Sequence, residues 1–486
     1  MHRVHIDSAL VAAVFVAVIS PALTIGSPIV FERTYGGVAD DIGQSVQQTT
    51  DGGYIVTGFY SVLTDSGFGW LIKTDAYGDT VWTRKLGGPW VEQTVDSGFI
   101  ALGSVDSSDS GPEVNCLVKT DASGDILWTR ICSGSNDGGN MVEQTADRGY
   151  VITGIASYSG PSGGDVHIIK TDAGGDTLWT RTYGGPAQDY GWSIRQTSDH
   201  GYIIAALTAS FGAGNQKIWL IKTDSMGDTL WTRLFGGDST SFGGWAQQTA
   251  DGGYFVVGWT CLYASTPQTY LIKTDSAGDT LWTRTIGGQR YFTECTSGQQ
   301  VKDGGYIVAG GCEDTTTGNI DVYLARTDAN GDTLWTRTFG GPGYDDGYSV
   351  RQTADGGYVI CGQTYSFGAG GSDFYIIKTD ENGNLGVAES KAELPHRATL
   401  SLICAPNPFR SSTRISLSAG LTVSKPLTLR IYDVQGRLVR RFAVSRAMQT
   451  IWDGRDDAGR LLASGTYLAR CDVAGTHATA RIVLQR

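Results

Sequence analysis

The chain has 486 residues, 18% of them charged and 40% hydrophobic, a core-forming composition that excludes a disordered polyelectrolyte. Its net charge of −12 is unevenly placed: Ala398 to Arg486 holds 13 Lys/Arg and 5 Asp/Glu, which is +8 and leaves −20 on everything before. An acidic body repels a polyanion, so nucleic acid is not expected as its partner.

At the N-terminus, Arg3 precedes an apolar run, Ala9 to Ile19, which Ser20-Pro21 breaks. Eleven apolar residues are too few to span a bilayer, which needs about 20. The pattern predicts a signal peptide over 1–26, with cleavage before Ser27, and an exported protein.

From there a unit of roughly fifty residues repeats seven times. Its clearest copy is Leu220-Ile-Lys-Thr-Asp-Ser-Met-Gly-Asp-Thr-Leu-Trp-Thr-Arg233, two strands around a Gly-containing turn. The motif's Lys, once Arg, falls at Lys73, Lys119, Lys170, Lys222, Lys273, Arg326 and Lys378, at successive intervals of 46, 51, 52, 51, 53 and 52. Each unit carries four strand signals, as in Tyr190–Thr197, Gly201–Ala206, Ile218–Lys222 and Asp228–Arg233. Four antiparallel strands repeated seven times predict an all-β, seven-bladed β-propeller over 27–386. The seventh unit lacks its Trp-Thr-Arg strand, and Ile29–Thr34 matches that strand without a unit of its own. We therefore expect the N-terminal strand to close the ring and remove its open edges. The Trp-ending blades resemble quinoprotein-type propellers, but no residue set supports a bound quinone.

Repetition marks scaffold. Trp82, Trp128, Trp179, Trp231, Trp282 and Trp335 share one position and are expected between blades. The Asp-x-x-Gly-Asp turns lack the ligand count of a calcium loop, so their Asp side chains are expected to bond turn amides. No cofactor is expected, calcium being the single candidate. The Lys-Thr-Asp corners read as solvated.

Function is expected where the units differ. The connections between second and third strands are long and irregular, and they share a face with the blade-to-blade connections; the opposite face carries uniform Asp-Gly-Gly and Asp-x-x-Gly-Asp turns. On the variable face, Asp41, Asp137, Asp189 and Asp345 precede the inner strands and are candidates to hold a cation or cationic ligand at the channel mouth, against the alternative that each caps its own turn. The aromatics Trp192, Trp245 and Tyr348, with Trp90, Tyr190, Trp259, Tyr344 and others, are candidates to stack on sugars, against a core role.

Eight cysteines in an exported chain raise the disulfides Cys116–Cys132, Cys295–Cys312 and Cys404–Cys471, against free buried thiols. Catalytic motifs are absent: six His have no Ser or Cys partner at a motif spacing, and there is no HExxH, phosphate loop or dinucleotide fingerprint.

After a charged linker, 387–397, alternating strands with Gly-centred turns over 398–486 predict a small β-sandwich. Pro406-Asn407-Pro408-Phe409, Ile431-Tyr432-Asp433-Val434-Gln-Gly436-Arg437, Trp452-Asp453-Gly454-Arg-Asp456 and Ser464-Gly465-Thr-Tyr467 stand in this segment in that order. It resembles the C-terminal sorting domain of type IX-secreted bacterial proteins and is similar to the Ig-like domain of flagellar hook-capping proteins. The resemblance implies an Ig-like domain whose partner is the outer-membrane secretion machinery, and a secreted or cell-surface destination. The sequence thus leads to an exported binding or adhesion propeller with a glycan or protein ligand on the loop face and no catalysis of its own. The rivals are a secreted glycan hydrolase with carboxylates on that face, and a structural surface-layer component.

Overall fold

The computed structural model describes residues 28–385, apart from 63–64, 105–115, 132–137, 157–162, 213–214, 238–239, 262–266, 288–291 and 314–317, and residues 401–485, apart from 406–408, 419–426, 434–436, 445–448 and 474–475. The expected signal peptide and linker lie outside them. Two compact units divide the chain, 1–386 and 387–486. Among the described residues every regular element is a strand.

The first unit contains seven four-stranded antiparallel sheets, the blades of a propeller. Blade four is representative: Asp189–Gln196 innermost, then Tyr202–Thr208, Lys217–Thr223 and Thr229–Phe235. Its two middle strands are buried throughout, because neighbouring blades cover both faces, and they read as continuous apolar runs. The outer strand alternates exposed and half-buried residues. Blade seven takes its outer strand from the N-terminus: Phe31–Tyr35 pairs antiparallel with Asp373–Thr379, Phe31 opposite Lys378 and Tyr35 opposite Phe374. The strand expected at Ile29–Thr34 is shifted by one or two residues. Phe31 takes the place of the repeated Trp.

Three repeated contacts lock each blade to the next. The outer Trp rings meet an aromatic of the following blade at 5.5–5.9 Å, Trp82 on Phe99 and Trp231 on Tyr254 among them, while Phe31 meets Tyr54 at 5.7 Å. Each Trp also covers a turn glycine: at Gly124 (φ 78°) a Cβ would lie 2.7 Å from Trp82. Outer-strand arginines pair with turn aspartates of the next blade, as in Arg233–Asp279 at 2.9 Å. The third contact is a glutamine ring. The last residue of each inner strand, Gln48, Gln93, Gln144, Gln196, Gln248, Gln300 or Gln352, accepts a backbone N–H of the preceding blade and donates to its own Asp-Gly turn.

The turn aspartates bond turn amides as expected; Asp224 Oδ1 accepts from Met226 N and Asp228 N at 2.9 Å. The Lys-Thr-Asp corner is not solvated. Lys222 is only 3% exposed and pairs with Asp199 at 2.9 Å, and the other six copies repeat this pairing. A flexible amine reaches back under the Asp-Gly-Gly turn, so proximity to a strand end did not mean exposure.

The second unit sets a three-stranded sheet (Ser401–Ala405, Thr413–Ser418, Gln449–Trp452) and a four-stranded sheet (Leu427–Asp433, Leu438–Val444, Gly465–Val473, Thr476–Leu484) around one apolar core. Trp452 is fully buried, 5.5 Å from Phe409 and 5.2 Å from Tyr467. Trp452 Nε1 donates to Arg455 O, and Tyr467 Oη to Ala463 O. Asp433 and Asp453 accept turn amides from Arg437 and Arg455, and Gly454 has φ 71°. Tyr432 and Gly465 lie in the four-stranded sheet; Pro406, Asn407, Pro408 and Gly436 lie outside the described residues.

The cysteine pairings are corrected at one pair. Cys295 stands opposite Gly310 and Cys312 opposite Thr293, a diagonal offset too long for a cross-strand disulfide, and Cys295 is a free, fully buried thiol. Cys116 faces Ile131, one residue short of Cys132, which is not described. Cys404 and Cys471 stand on different sheets of the second unit.

Candidate functional site

The inner strands line a channel, and the pleat brings every second residue to it. Near its variable-loop end, Asp346 opens a cluster. Tyr344 Oη donates to Asp346 Oδ2 at 2.9 Å and Gly347 N to Oδ1 at 2.8 Å. Gly311, in the neighbouring blade, leaves room for this carboxylate: a Cβ there would lie 2.7 Å from Oδ1. Burial pushes Asp346 up to about 6, against hydrogen bonds from Tyr344, Gly347 and Tyr348 that favour the ionised form. Glu294, opposite Gly311, is pushed up to about 7 by burial and then by the Asp346 charge. It makes no hydrogen bond among the described residues. Tyr348 Oη accepts from Gln363 Nε2 at 2.7 Å. Further around the same end, Tyr190 and the half-exposed Trp192 lie ring to ring at 4.7 Å, and Tyr190 Oη donates to Asn140 Oδ1. Phe242 and Trp259 stack at 4.1 Å.

The aspartates expected at this mouth are held by their own loops. Asp41, Asp189 and Asp345 are each 0% exposed. Their Oδ2 atoms accept from Gly37 N, Gly185 N and Gly341 N at 2.7–2.9 Å, and Ser210 and Ser366 hydroxyls add to the last two. Asp137 lies outside the described residues. Of the aromatic candidates, Trp192 and Tyr348 stand at the loop end.

Trp245 is in the channel interior. It occupies the inner-strand position that serine holds in blades one, four, six and seven, and so does Trp90. A serine here can accept a hydrogen bond from the next blade, as Ser193 does from Ala246 N; a Trp instead projects across the axis. The two rings meet at 5.5 Å and fill it. Two residues further toward the uniform-turn end stands a second ring: Gln47, Glu92, Glu143, Arg195, Gln247, Gln299 and Arg351. Here the Gln and Glu oxygens accept the N–H of the next blade's ring glutamine, as Glu92 does from Gln144 at 3.1 Å and Gln299 from Gln352 at 3.0 Å. Arg195 and Arg351 lie over both Trp rings, at 4.5–5.6 Å. Among the described residues no group of three or more His, Cys, Asp or Glu forms a metal site.

Glu294 and Asp346 were not singled out from the sequence, nor were Arg195 and Arg351. The available signal was the aligned copies: each pair breaks an otherwise uncharged or acceptor-bearing repeat position.

No family model matches the chain, and no curated protein does. Among solved structures it is similar to PorZ, a surface component of the type-IX secretion system of Porphyromonas gingivalis, at 12% identity over 90% of this chain and 69% of that one, with a TM-score of 0.30. It is also similar to puromycin hydrolase, at 11% identity over 82% of this chain and 57% of that one, TM-score 0.48. A third is the β-propeller domain of the Trilobed protease from Pyrococcus furiosus, at 8% identity over 72% and 99%, TM-score 0.43. The fold assignment rests on the strand pairing itself, and these likenesses add no functional argument.

Proposed function

We propose that this chain is an exported or cell-surface binding protein whose propeller takes a carbohydrate at the variable-loop end of its channel. The observation that carries the reading is the Glu294–Asp346 carboxyl pair beside Tyr344 and Tyr348, with the Tyr190–Trp192 pair further around the same end. Aromatic faces stack on the apolar faces of sugar rings, and carboxylates accept from sugar hydroxyls, a combination few other ligand classes use together. Export is supported by the Ala9–Ile19 pattern and by the motifs of 398–486. In the second unit Phe409, Trp452 and Tyr467 build the core and Asp433 and Asp453 the turns, so the secretion machinery would read the surface they shape. Retention of the full chain on a glycan array, lost in Asp346→Asn, tests the reading; no retained glycan with or without calcium contradicts it.

A second reading, glycoside hydrolysis, is favoured by one observation: two neighbouring carboxyls held above the usual range, one near 7 and one near 6. Release of reducing ends from a retained glycan, abolished in Glu294→Gln, would select it.

A further inference from the structure

The uniform-turn end of the channel is a distinct place, set apart from the loop end by the Trp90–Trp245 pair, whose planes are tilted by 32°. A cavity of about 380 Å³ opens there, lined by Arg195, Arg351, Glu92, Glu143, Trp245 and ring glutamines. Its lining is short of acceptors. Arg195 is shared by Glu143 at 3.2 Å and Glu92 at 3.7 Å. The second oxygen of each glutamate stays committed to the ring, to Gln196 N and Gln144 N. Neither comes within ion-pair distance of Arg351. Arg351 gives one hydrogen bond, Nη1 to its own neighbour Val350 O at 2.8 Å, and has no ion pair among the described residues. The indole N–H groups of Trp90 and Trp245 are buried with no hydrogen-bond partner among the described residues, and Trp245 is 5% exposed.

Ring closure does not require this arrangement. Five blades place an acceptor at this position and two place a guanidinium, which cannot accept the next blade's N–H. Each departure removes an inter-blade bond and half-buries a cation, costs that a purely structural channel would avoid. The two Trp rings lie against both guanidiniums, and Arg351, which gives only one hydrogen bond, keeps N–H donors for a ligand.

We propose that this cavity is a binding site for a small oxyanion, carboxylate or phosphate, gripped by the Arg351 fork with Arg195 beside it. The anion supplies the missing acceptors and neutralises a half-buried guanidinium that has no carboxylate partner among the described residues. Burial, opposed mainly by Arg195, holds the Glu92 carboxyl above its usual range, so on acidification the cavity loses a negative charge sooner than a free glutamate would and favours the anion further. The charged groups facing Glu92 are Arg195, Glu143 and Arg351, and Gln144 N donates to it.

The test is calorimetric titration of the full chain with citrate and, separately, with inorganic phosphate at low ionic strength. Binding by either supports the proposal and names the oxyanion geometry the site prefers. Arg351→Gln should weaken it at least about tenfold, the loss expected for one bidentate charge-assisted pair. Arg233→Gln, the same charge change on the outer rim, should leave it unchanged. If Arg351→Gln does not fold, Arg351→Lys keeps the charge, loses the fork and should still weaken binding. Binding of neither anion, or equal binding in the folded Arg351 variant, overturns the proposal. A negative result here leaves the loop-end site standing, because the Trp pair separates the two.

Discussion

Ala354 N donates to Gln48 Oε1 at 2.8 Å, joining blade seven to blade one across 306 residues of sequence. It is the last link of the glutamine ring and chemically the same as the link from Ser198 N to Gln248 Oε1, also 2.8 Å, in the middle of the chain. Closure is therefore made by the repeat's own contact, supplemented by Phe31–Tyr35.

Gln48→Ala leaves the Ala354 N–H without its acceptor and should cost about 1–2 kcal/mol. In a closed ring Gln248→Ala should cost about the same. Urea unfolding of both variants measures this; a much smaller loss for Gln48→Ala would mean the ring is not tied at that seam.

Asp199→Ala strands Lys222, 3% exposed, without its carboxylate. We expect a loss of about 2 kcal/mol, below the usual cost of breaking a buried pair because water already reaches Asp199. Burial raises Asp51, Asp199 and Asp251, but hydrogen bonds from a Thr, a Lys and a Gly amide outweigh it and hold them at about 2, below the ordinary 3.8. A lowered folded pKa gives stability that is present above the unfolded value and lost as pH falls through the folded one. The melting temperature should therefore drop between pH 4 and pH 2, roughly the window between those two values, and less steeply in Asp199→Ala.

Gly227→Ala tests the outer seam. Gly227 has φ 80°, and a Cβ would lie 2.8 Å from Arg181 Cγ and 2.9 Å from the Trp179 ring. Strain and clash together should cost at least about 2 kcal/mol. Gly52, with φ 85° and nothing within 4 Å, carries only the backbone strain, so Gly52→Ala should cost less. Thermal melts of the two variants separate the terms.

The scaffold was legible in the sequence because it is repeated. Trp231, Gly227 and Asp224 recur at fixed spacing, and each recurrence reported one blade-to-blade or turn contact. The exposure of a single side chain was not legible: Lys222 stands at a strand end, yet folds back under Asp199. The site was harder still. Asp189 looked ligand-ready from its position, but its loop supplies two donors of its own, Gly185 N and Ser210 Oγ. Trp245 was singled out as an aromatic of the loop face, whereas its strand register points it into the channel against Trp90. Arg351 and Asp346 show in the sequence only as breaks in aligned repeat positions; what they face is set by the ring, which brings Trp90 against Arg351 and Gly311 against Asp346.

The two readings of the loop end differ in their pH response. If the carboxylates act as acceptors for a bound sugar, affinity rises as Asp346 and then Glu294 ionise, through about 6 and about 7. If they act as a catalytic pair, with Asp346 ionised and Glu294 protonated, turnover peaks between those values and falls on both sides. Titration calorimetry and reducing-end release across pH 5–8 (roughly one unit beyond each group) give the two curves.

The central claim is tested most directly by titrating an array-identified oligosaccharide into the full chain and into Asp346→Asn at pH 8. The account predicts saturable binding by the unaltered chain and a loss of at least about tenfold in the variant, the size of one charge-assisted hydrogen bond or more. Equal affinity in the two folded proteins would contradict it and move the ligand away from the Glu294–Asp346 mouth.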